Sequence, residues 1–273
     1  MHFLHLSDTH IRNDYTTNSF TRPIFSDEFN PTDSFKKTLD HINRNAKETE
    51  THYEFALITG DLVHEGDPTD YQLFKSIWKE KMGDLPYFFC RGNHDRRQAF
   101  ATGMAVSVNE DGDYIDQTYY QGLRIITLDS AQDGGHEGVI SKRQLDQLKE
   151  WLAEPAKKGT IVLLHHPLAW EESEIKTEVP TDFEETIENS DILGIFVGHI
   201  HQGSLAYYGN KLQTMVEAIS FGVDEFPNKS VFTNRTGYNS CTISEGHLFI
   251  HSVVMSPSQT VIGGCKKPVT ENI

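Results

Sequence analysis

Asp, His and Asn recur in five short clusters along this chain: Ser7-Asp8-Thr9-His10, Gly60-Asp61, Gly92-Asn93-His94-Asp95, His165-His166-Pro167 and Gly198-His199-Ile200-His201. Imidazole nitrogen, carboxylate oxygen and amide oxygen make a mixed donor set suited to borderline or moderately hard cations such as Mn, Fe, Zn or Co. No thiolate belongs to the set, which argues against a structural zinc site of the cysteine type. Any one cluster has an ordinary explanation. Gly-Asp marks turns, Gly and Asn tolerate positive φ, and two histidines before a proline can be a satisfied bend. Taken together they ask for more, because each one follows an apolar run. So many donors exceed the needs of one tetrahedral ion but suit two ions that share a carboxylate. Such a pair can bridge and acidify a water, then hold the attacking and leaving oxygens of an in-line displacement.

The elements that must position these groups alternate. "MHFLHLS", "YEFALITG", "LPYFFC", "GTIVLLHHP" and "SDILGIFVGHIHQ" read as strands, mostly buried on both faces. Between them "TDSFKKTLDHINRNAKE" predicts a helix capped by Thr32 or Asp33. "PTDYQLFKSIWKEKMG" predicts one opened by Pro68 and closed by Gly83. "DYIDQTYYQGLRIITLDS" reads as a hairpin, and "SKRQLDQLKEWLAEP" and "PTDFEETIENS" as two further helices. Sites in open α/β sheets form beyond the carboxyl ends of strands, so the five clusters should converge. From about Ser204 the pattern changes to short strands and turns. This tail is expected to complete a second sheet or to contribute to an interface.

The 273 residues suit a single domain, 1–273, with a substantial core. No apolar run approaches membrane length, and the start "MHFLHLSDTH" lacks a secretion signal. Cys90, Cys241 and Cys265 are odd in number and scattered, which fits reduced thiols in cytoplasm. A net charge of −16 lacks the basic footprint of a nucleic-acid binder. The expected partner is therefore a small molecule, with nucleic acid and membrane disfavoured and a homo-oligomer left open.

The ordered set Asp8-x-His10, Gly60-Asp61, Gly92-Asn93-His94-Asp95, His165 and Gly198-His199-x-His201 resembles the calcineurin-like metallophosphoesterase superfamily, over Met1 to about Gln202. "GLRIITLDS" followed by "GVISKRQLDQLKEWL" further resembles its branch of cyclic-nucleotide phosphodiesterases and glycerophosphodiesterases. The resemblance implies an α/β fold, a four-layer α/β/β/α sandwich, with a dinuclear centre of two divalent or mixed-valence ions. It implies Asp8, His10 and His201 on one ion, Asn93, His165 and His199 on the other, and Asp61 between them. His165 is preferred to His166 because the family ligand opens an H-x-P triplet. His94 is implied to face the scissile phosphate, stabilising charge or protonating the leaving oxygen, with Asp95 orienting its ring. The implied reaction is cleavage of a small-molecule phosphodiester by a metal-bridging hydroxide. A nuclease of the same superfamily is the alternative, and a non-catalytic metal-binding scaffold a more remote one.

Several residues depart from the pattern or fall outside it. Arg91 stands where members commonly carry proline, and its side chain is expected to point outward. His64 replaces a frequent carboxylate and is expected behind the ligands or on the surface. The loop from Arg12 to Pro31, with Tyr15, Phe20, Arg22 and Phe25, is a candidate for substrate contact. His136, in "DGGHEG", has no ligand at a useful spacing and is set aside.

Overall fold

The computed structural model describes residues 1–26, 29–173, 175–256 and 260–266. The chain starts with β1 (His2–Leu6), passes through α1 (Pro31–Glu48) to β2 (Phe55–Thr59), and through α2 (Pro68–Met82) to β3 (Tyr87–Cys90). A short α3 (Arg97–Met104) precedes the hairpin of β4 (Asp116–Tyr120) and β5 (Leu123–Thr127). Then come α4 (Lys142–Leu152), β6 (Thr160–Leu163), α5 (Phe183–Glu188) and β7 (Ile192–Val197). Strands finish the described chain: β8 (Ser204–Tyr208), β9 (Lys211–Met215), β10 (Gly222–Phe226), β11 (Lys229–Thr233), β12 (Gly237–Ser244), β13 (His247–Val254) and β14 (Val261–Lys266).

Side-chain alternation sorts these elements into layers. In β2 every residue is buried. Phe55 and Leu57 join one cluster with Phe3, Ile161, Leu163 and Phe196, which come from two different sheets. Ala56 and Ile58 face the other way, against Phe35, Leu39, Phe74 and Trp78 of α1 and α2. In β6 and β7, Val162, Ile195 and Val197 meet Leu145 and Leu148 of α4 and Phe183 of α5. Three apolar interfaces separated by two sheets make a helix–sheet–sheet–helix sandwich. The central strands of both sheets are covered on both faces, which explains why β2, β5 and β6 are apolar runs without alternation.

The first sheet runs β13-β12-β1-β2-β3 and the second β4-β5-β6-β7-β9-β8. β1, β2 and β3 are parallel, as are β5, β6, β7 and β9, so their carboxyl ends open on one side. The tail does more than complete the second sheet. β8 and β9 extend that sheet, β12 and β13 enter the first beside β1, and β10-β11-β14 form a separate three-stranded sheet. Two local readings also change. Asn30, not Thr32 or Asp33, caps α1 by accepting from the Asp33 amide at 3.0 Å, with Pro31 in the first turn. Helix α3 went unseen because its eight residues carry too few apolar repeats to register.

Candidate metal centre

Each metal-ligand candidate lies two to four residues beyond the end of a strand: Asp8 and His10 after β1, Asp61 after β2, Asn93 after β3, His165 after β6, His199 and His201 after β7. Five of them adopt left-handed backbone: Asp8 (φ 54°), His10 (46°), Asp61 (47°), His199 (78°) and His201 (59°). Such a residue costs roughly 1–3 kcal/mol and persists where surrounding contacts over-determine it. Here the turns bind one another. The Asp8 amide donates to the Gly60 carbonyl at 3.1 Å, and the His10 amide to the Asp61 carbonyl at 2.9 Å. Close approach also dictates two glycines. A Cβ on Gly92 would fall 2.1 Å from Asp61 Oδ1, and one on Gly198 would fall 2.0 Å from Ser7 Oγ. Alanine at either position would push a carboxylate aside.

The donor atoms gather in two groups. His10 Nε2 and His201 Nε2 are 3.2 Å apart, and Asp8 Oδ1 lies 3.3 Å from the latter. Asn93 Oδ1 lies 3.2 Å from His165 Nε2 and 3.1 Å from His199 Nδ1. Asp61 Oδ2 stands between the groups, 3.5 Å from His10 Nε2 and 3.3 Å from His165 Nε2. Its other oxygen accepts from the His94 amide at 2.8 Å. The rings are aimed from behind. His165 Nδ1 donates to the Thr59 carbonyl at 2.7 Å and His201 Nδ1 to the Phe221 carbonyl at 2.7 Å, so each presents Nε2 to the cluster. Asp8 Oδ1 is buried without a hydrogen-bond partner. A buried anionic oxygen left in that state is costly, and a cation is the partner that suits it. The residues present therefore fit a metal pair.

Electrostatics favours the same occupant. Burial opposes ionisation of Asp8, yet His201 and His165 outweigh it and hold the carboxyl below its ordinary range. Asp61 is likewise held well below that range, against burial, by His165, His94 and His10. Burial drives His10 far down and His199 to about 3, so both stay neutral with a lone pair to give. His165 is the exception. Burial disfavours its proton, but Asp61 and Asp8 carry the pKa up to about 9. That proton occupies the place of positive charge between the carboxylates, and a metal would displace it.

The surroundings correct several expectations. Asp95 does not orient the His94 ring: its carboxylate accepts from the amides of Leu62, Val63 and Gly92 and from Tyr71 Oη, at 2.9–3.1 Å. It pins the Asp61 turn to the Asn93 turn instead, and burial beside Asp61 raises its pKa to about 7. The carboxylate beside His94 Nδ1 is Glu65, at 3.9 Å. Arg91 does not point outward. It is fully buried, paired with Asp129 and Asp133 at 2.9 Å each. His64 takes the first of its two expected places, buried behind a ligand candidate with its Nδ1 2.9 Å from His10 Nδ1. His166 Nδ1 pairs with Ser130 Oγ at 2.9 Å, while its neighbour His165 meets the donor cluster. His136, set aside on sequence, lies 3.3 Å from the Asn93 amide nitrogen. Spacing within "DGGHEG" carried no signal for this contact, since the partner is 43 residues away.

At the donors opens a cleft of about 520 Å³, lined by His94, Glu65 and His136 and by the apolar Phe20, Phe221, Val223 and Phe232. The aromatic wall comes from the 12–31 loop and the three-stranded sheet, whose Phe25, Phe221 and Phe232 pack with Tyr15 and Ile24. Phe221 is thus a buried wall residue, whereas Tyr207 of edge strand β8 is exposed. No lysine or arginine lines the cleft among the described residues.

A sandwich of this layering with paired ligand groups at its strand ends defines a metal-dependent phosphoester hydrolase. The chain belongs to the calcineurin-like phosphoesterase family, whose model matches residues 1–203. It is 28% identical to a probable cyclic nucleotide phosphodiesterase of Rhodococcus erythropolis, over 96% of this chain and 86% of that one. It is 24% identical to a cAMP/cGMP dual specificity phosphodiesterase of Mycobacterium tuberculosis, over 97% and 82%. Among solved structures, a purple acid phosphatase from yellow lupin matches with a TM-score of 0.62 at 13% identity, covering 93% of this chain and 53% of that one. A dimetal phosphatase from Danio rerio matches at 0.56 and 11% identity, over 85% and 95%. These two likenesses concern the fold alone.

Proposed function

We propose that this protein hydrolyses small phosphodiesters, of the cyclic-nucleotide or glycerophosphodiester type, with two divalent ions. The observation that carries the reading is Asp61, one of whose oxygens stands within 3.5 Å of a donor from each group. Asp8, His10 and His201 would hold one ion, Asn93, His165 and His199 the other, with Asp61 shared. When bound, the ions supply Lewis acidity toward phosphate oxygens and lower the pKa of water. Their identity among Mn, Fe, Zn and Co is left open by the donor set.

The chain's own residues do the rest. His94 lines the cleft, where it can donate to a phosphate oxygen or to the departing alcohol. Burial lowers its pKa, while Asp61 and Glu65 work to keep the proton. Asp95 acts at a distance, by fixing the turn that carries Asn93 and His94. Phe20, Phe221 and Phe232 offer apolar, aromatic surface to the cleft, against which a planar group could pack. Support for a small substrate comes from the cleft's lack of basic residues, since a polyanion needs phosphate contacts along its length. The three cysteines are all free, which agrees with action in the cytoplasm. Among the described residues no helix is long and apolar enough to cross a membrane.

The test is turnover by protein stripped and reloaded with manganese. Bis(p-nitrophenyl) phosphate, 3′,5′-cyclic AMP and a glycerophosphodiester should be cleaved, with p-nitrophenyl phosphate and single-stranded DNA much slower. Two bound ions with no diester turnover would refute the proposal, and preferential DNA cleavage would favour a nuclease.

A further inference from the structure

We propose that His136 is a positioning residue for Asn93, fixing which end of the asparagine amide faces His165 and His199. The inference rests on the metal-centre reading above. An asparagine amide has two ends of nearly equal size and opposite character: the oxygen accepts, while the nitrogen only donates. A cation can use the oxygen alone. Asn93 Oδ1 faces His165 Nε2 at 3.2 Å and His199 Nδ1 at 3.1 Å, while Nδ2 faces His136 Nδ1 at 3.3 Å. Because Nδ2 only donates, this contact is made to the lone pair of His136 Nδ1. Turning the amide over would set N–H groups where a cation needs an oxygen. It would also end the donation from Nδ2 to His136. Among the described residues no other side chain takes up the Nδ2 hydrogens.

His136 lies on an exposed glycine-rich loop, yet that loop is clamped to the turn that carries Asn93. Buried Arg91 spans the two, holding Asp129 Oδ2 and Asp133 Oδ1 at 2.9 Å each and bonding to the carbonyl of Ala131. Asp133 Oδ1 also accepts from the Arg97 amide at 3.2 Å. The bracing holds the start of the loop, up to Asp133, beside the turn of Asn93, and His136 follows three residues later. Among the described residues His136 makes no hydrogen bond to the other donor atoms, and its ring lies 6.0 Å from that of His94.

The experiment compares wild type, His136→Ala and His136→Gln, each metal-stripped and then titrated with Mn²⁺ by calorimetry, with bound metal counted by elemental analysis. Wild type should show two binding events. In His136→Ala one event should weaken by about tenfold or more, within the roughly 10–100-fold range of losses behind a ligand, and the other should be unchanged. His136→Gln offers a carbonyl acceptor and should recover part of the loss. Two unaltered events in His136→Ala overturn the inference, as do equal losses at both events or equal impairment in both variants. Failure of wild type itself to bind two ions overturns the metal-centre reading and the inference with it.

Discussion

The floor of the cleft and its roof draw on different stretches of chain and on different forces. The floor is polar. Its seven ligand candidates come from strand ends across both sheets, five of them in left-handed backbone held by cross-turn hydrogen bonds. The roof is apolar. Phe20, Phe221 and Phe232 come from the 12–31 loop and from around the three-stranded sheet, and meet edge to face at 5.5–5.6 Å. A floor atom is useful only at its own position, since a donor displaced by an ångström no longer shares an ion. A roof residue contributes area and shape, which a neighbour can partly replace. The contrast predicts sharp, chemically specific losses below and graded, substrate-dependent changes above.

The largest effect belongs to Asp61. Replacing it by alanine removes the donor shared by both groups, so both ions should be lost, with kcat/KM falling by roughly 10³-fold or more. Asn93→Ala removes a donor from one group and should retain one tight ion and more activity. Metal counts and rates measured together check the ranking, and equal values in the two variants would break it.

Next comes Arg91, which belongs to the floor's support. Arg91→Met strands Asp129 as a buried charge, and losing one partner of such a pair costs about 3–5 kcal/mol. Burial raises the Asp129 pKa and the Arg91 guanidinium restrains that rise, so part of the loss can be relieved by proton uptake. Urea unfolding of the metal-loaded protein should show the drop. A change under about 1 kcal/mol would mean that the floor does not depend on this brace.

A third prediction concerns pH in the metal-stripped protein. His165 has a folded pKa raised to about 9 from 6.5. A raised pKa means that the folded state binds the extra proton, so the stabilisation is complete below about 6.5 and disappears as pH climbs through 9. Its size is on the order of 3 kcal/mol. Chelated protein should thus melt progressively lower between pH 6.5 and 9, while manganese-loaded protein, in which metal replaces the proton, should hold its melting temperature. Parallel behaviour of the two forms would remove the proton from the floor's electrostatics.

How much of this was legible differs between the two regions for a physical reason. The floor's residues are constrained by chemistry to particular types and each follows an apolar strand, so the five clusters stand out in the sequence, and the family resemblance singles out Asp8, His10, Asp61, Asn93, His165, His199 and His201 within them. The alternation of strands and helices is legible from the same runs, and the four-layer sandwich from the resemblance. What the floor rests on was not readable. The sequence around Arg91 suggests an outward side chain because nothing local announces Asp129, 38 residues on. The resemblance pairs Asp95 with its sequence neighbour His94, whereas its carboxylate is occupied by amides around Asp61 and by Tyr71. The roof was the least visible. Phenylalanine spacing in the tail shows strands but not which strands pair, and the split of β8–β14 among three sheets depends on contacts made far along the chain.

The smallest effect is expected at Phe20, and it separates roof from floor most cleanly. Its ring is 38% exposed and lies over His64, with centroids 5.4 Å apart and planes 15° off parallel. It can leave without opening the core, so Phe20→Ala should fold and load metal as wild type does. If the roof recognises the group attached to the phosphate, a substrate bearing an aromatic base should lose about 1 kcal/mol of binding, at the low end of base–aromatic stacking. That corresponds to roughly a fivefold rise in KM with kcat unchanged. A small aliphatic diester, which cannot reach the ring, should change less than about twofold on the same reasoning. Equal shifts for both substrates would place Phe20 in the floor's support, through its contact with His64 and from there with His10.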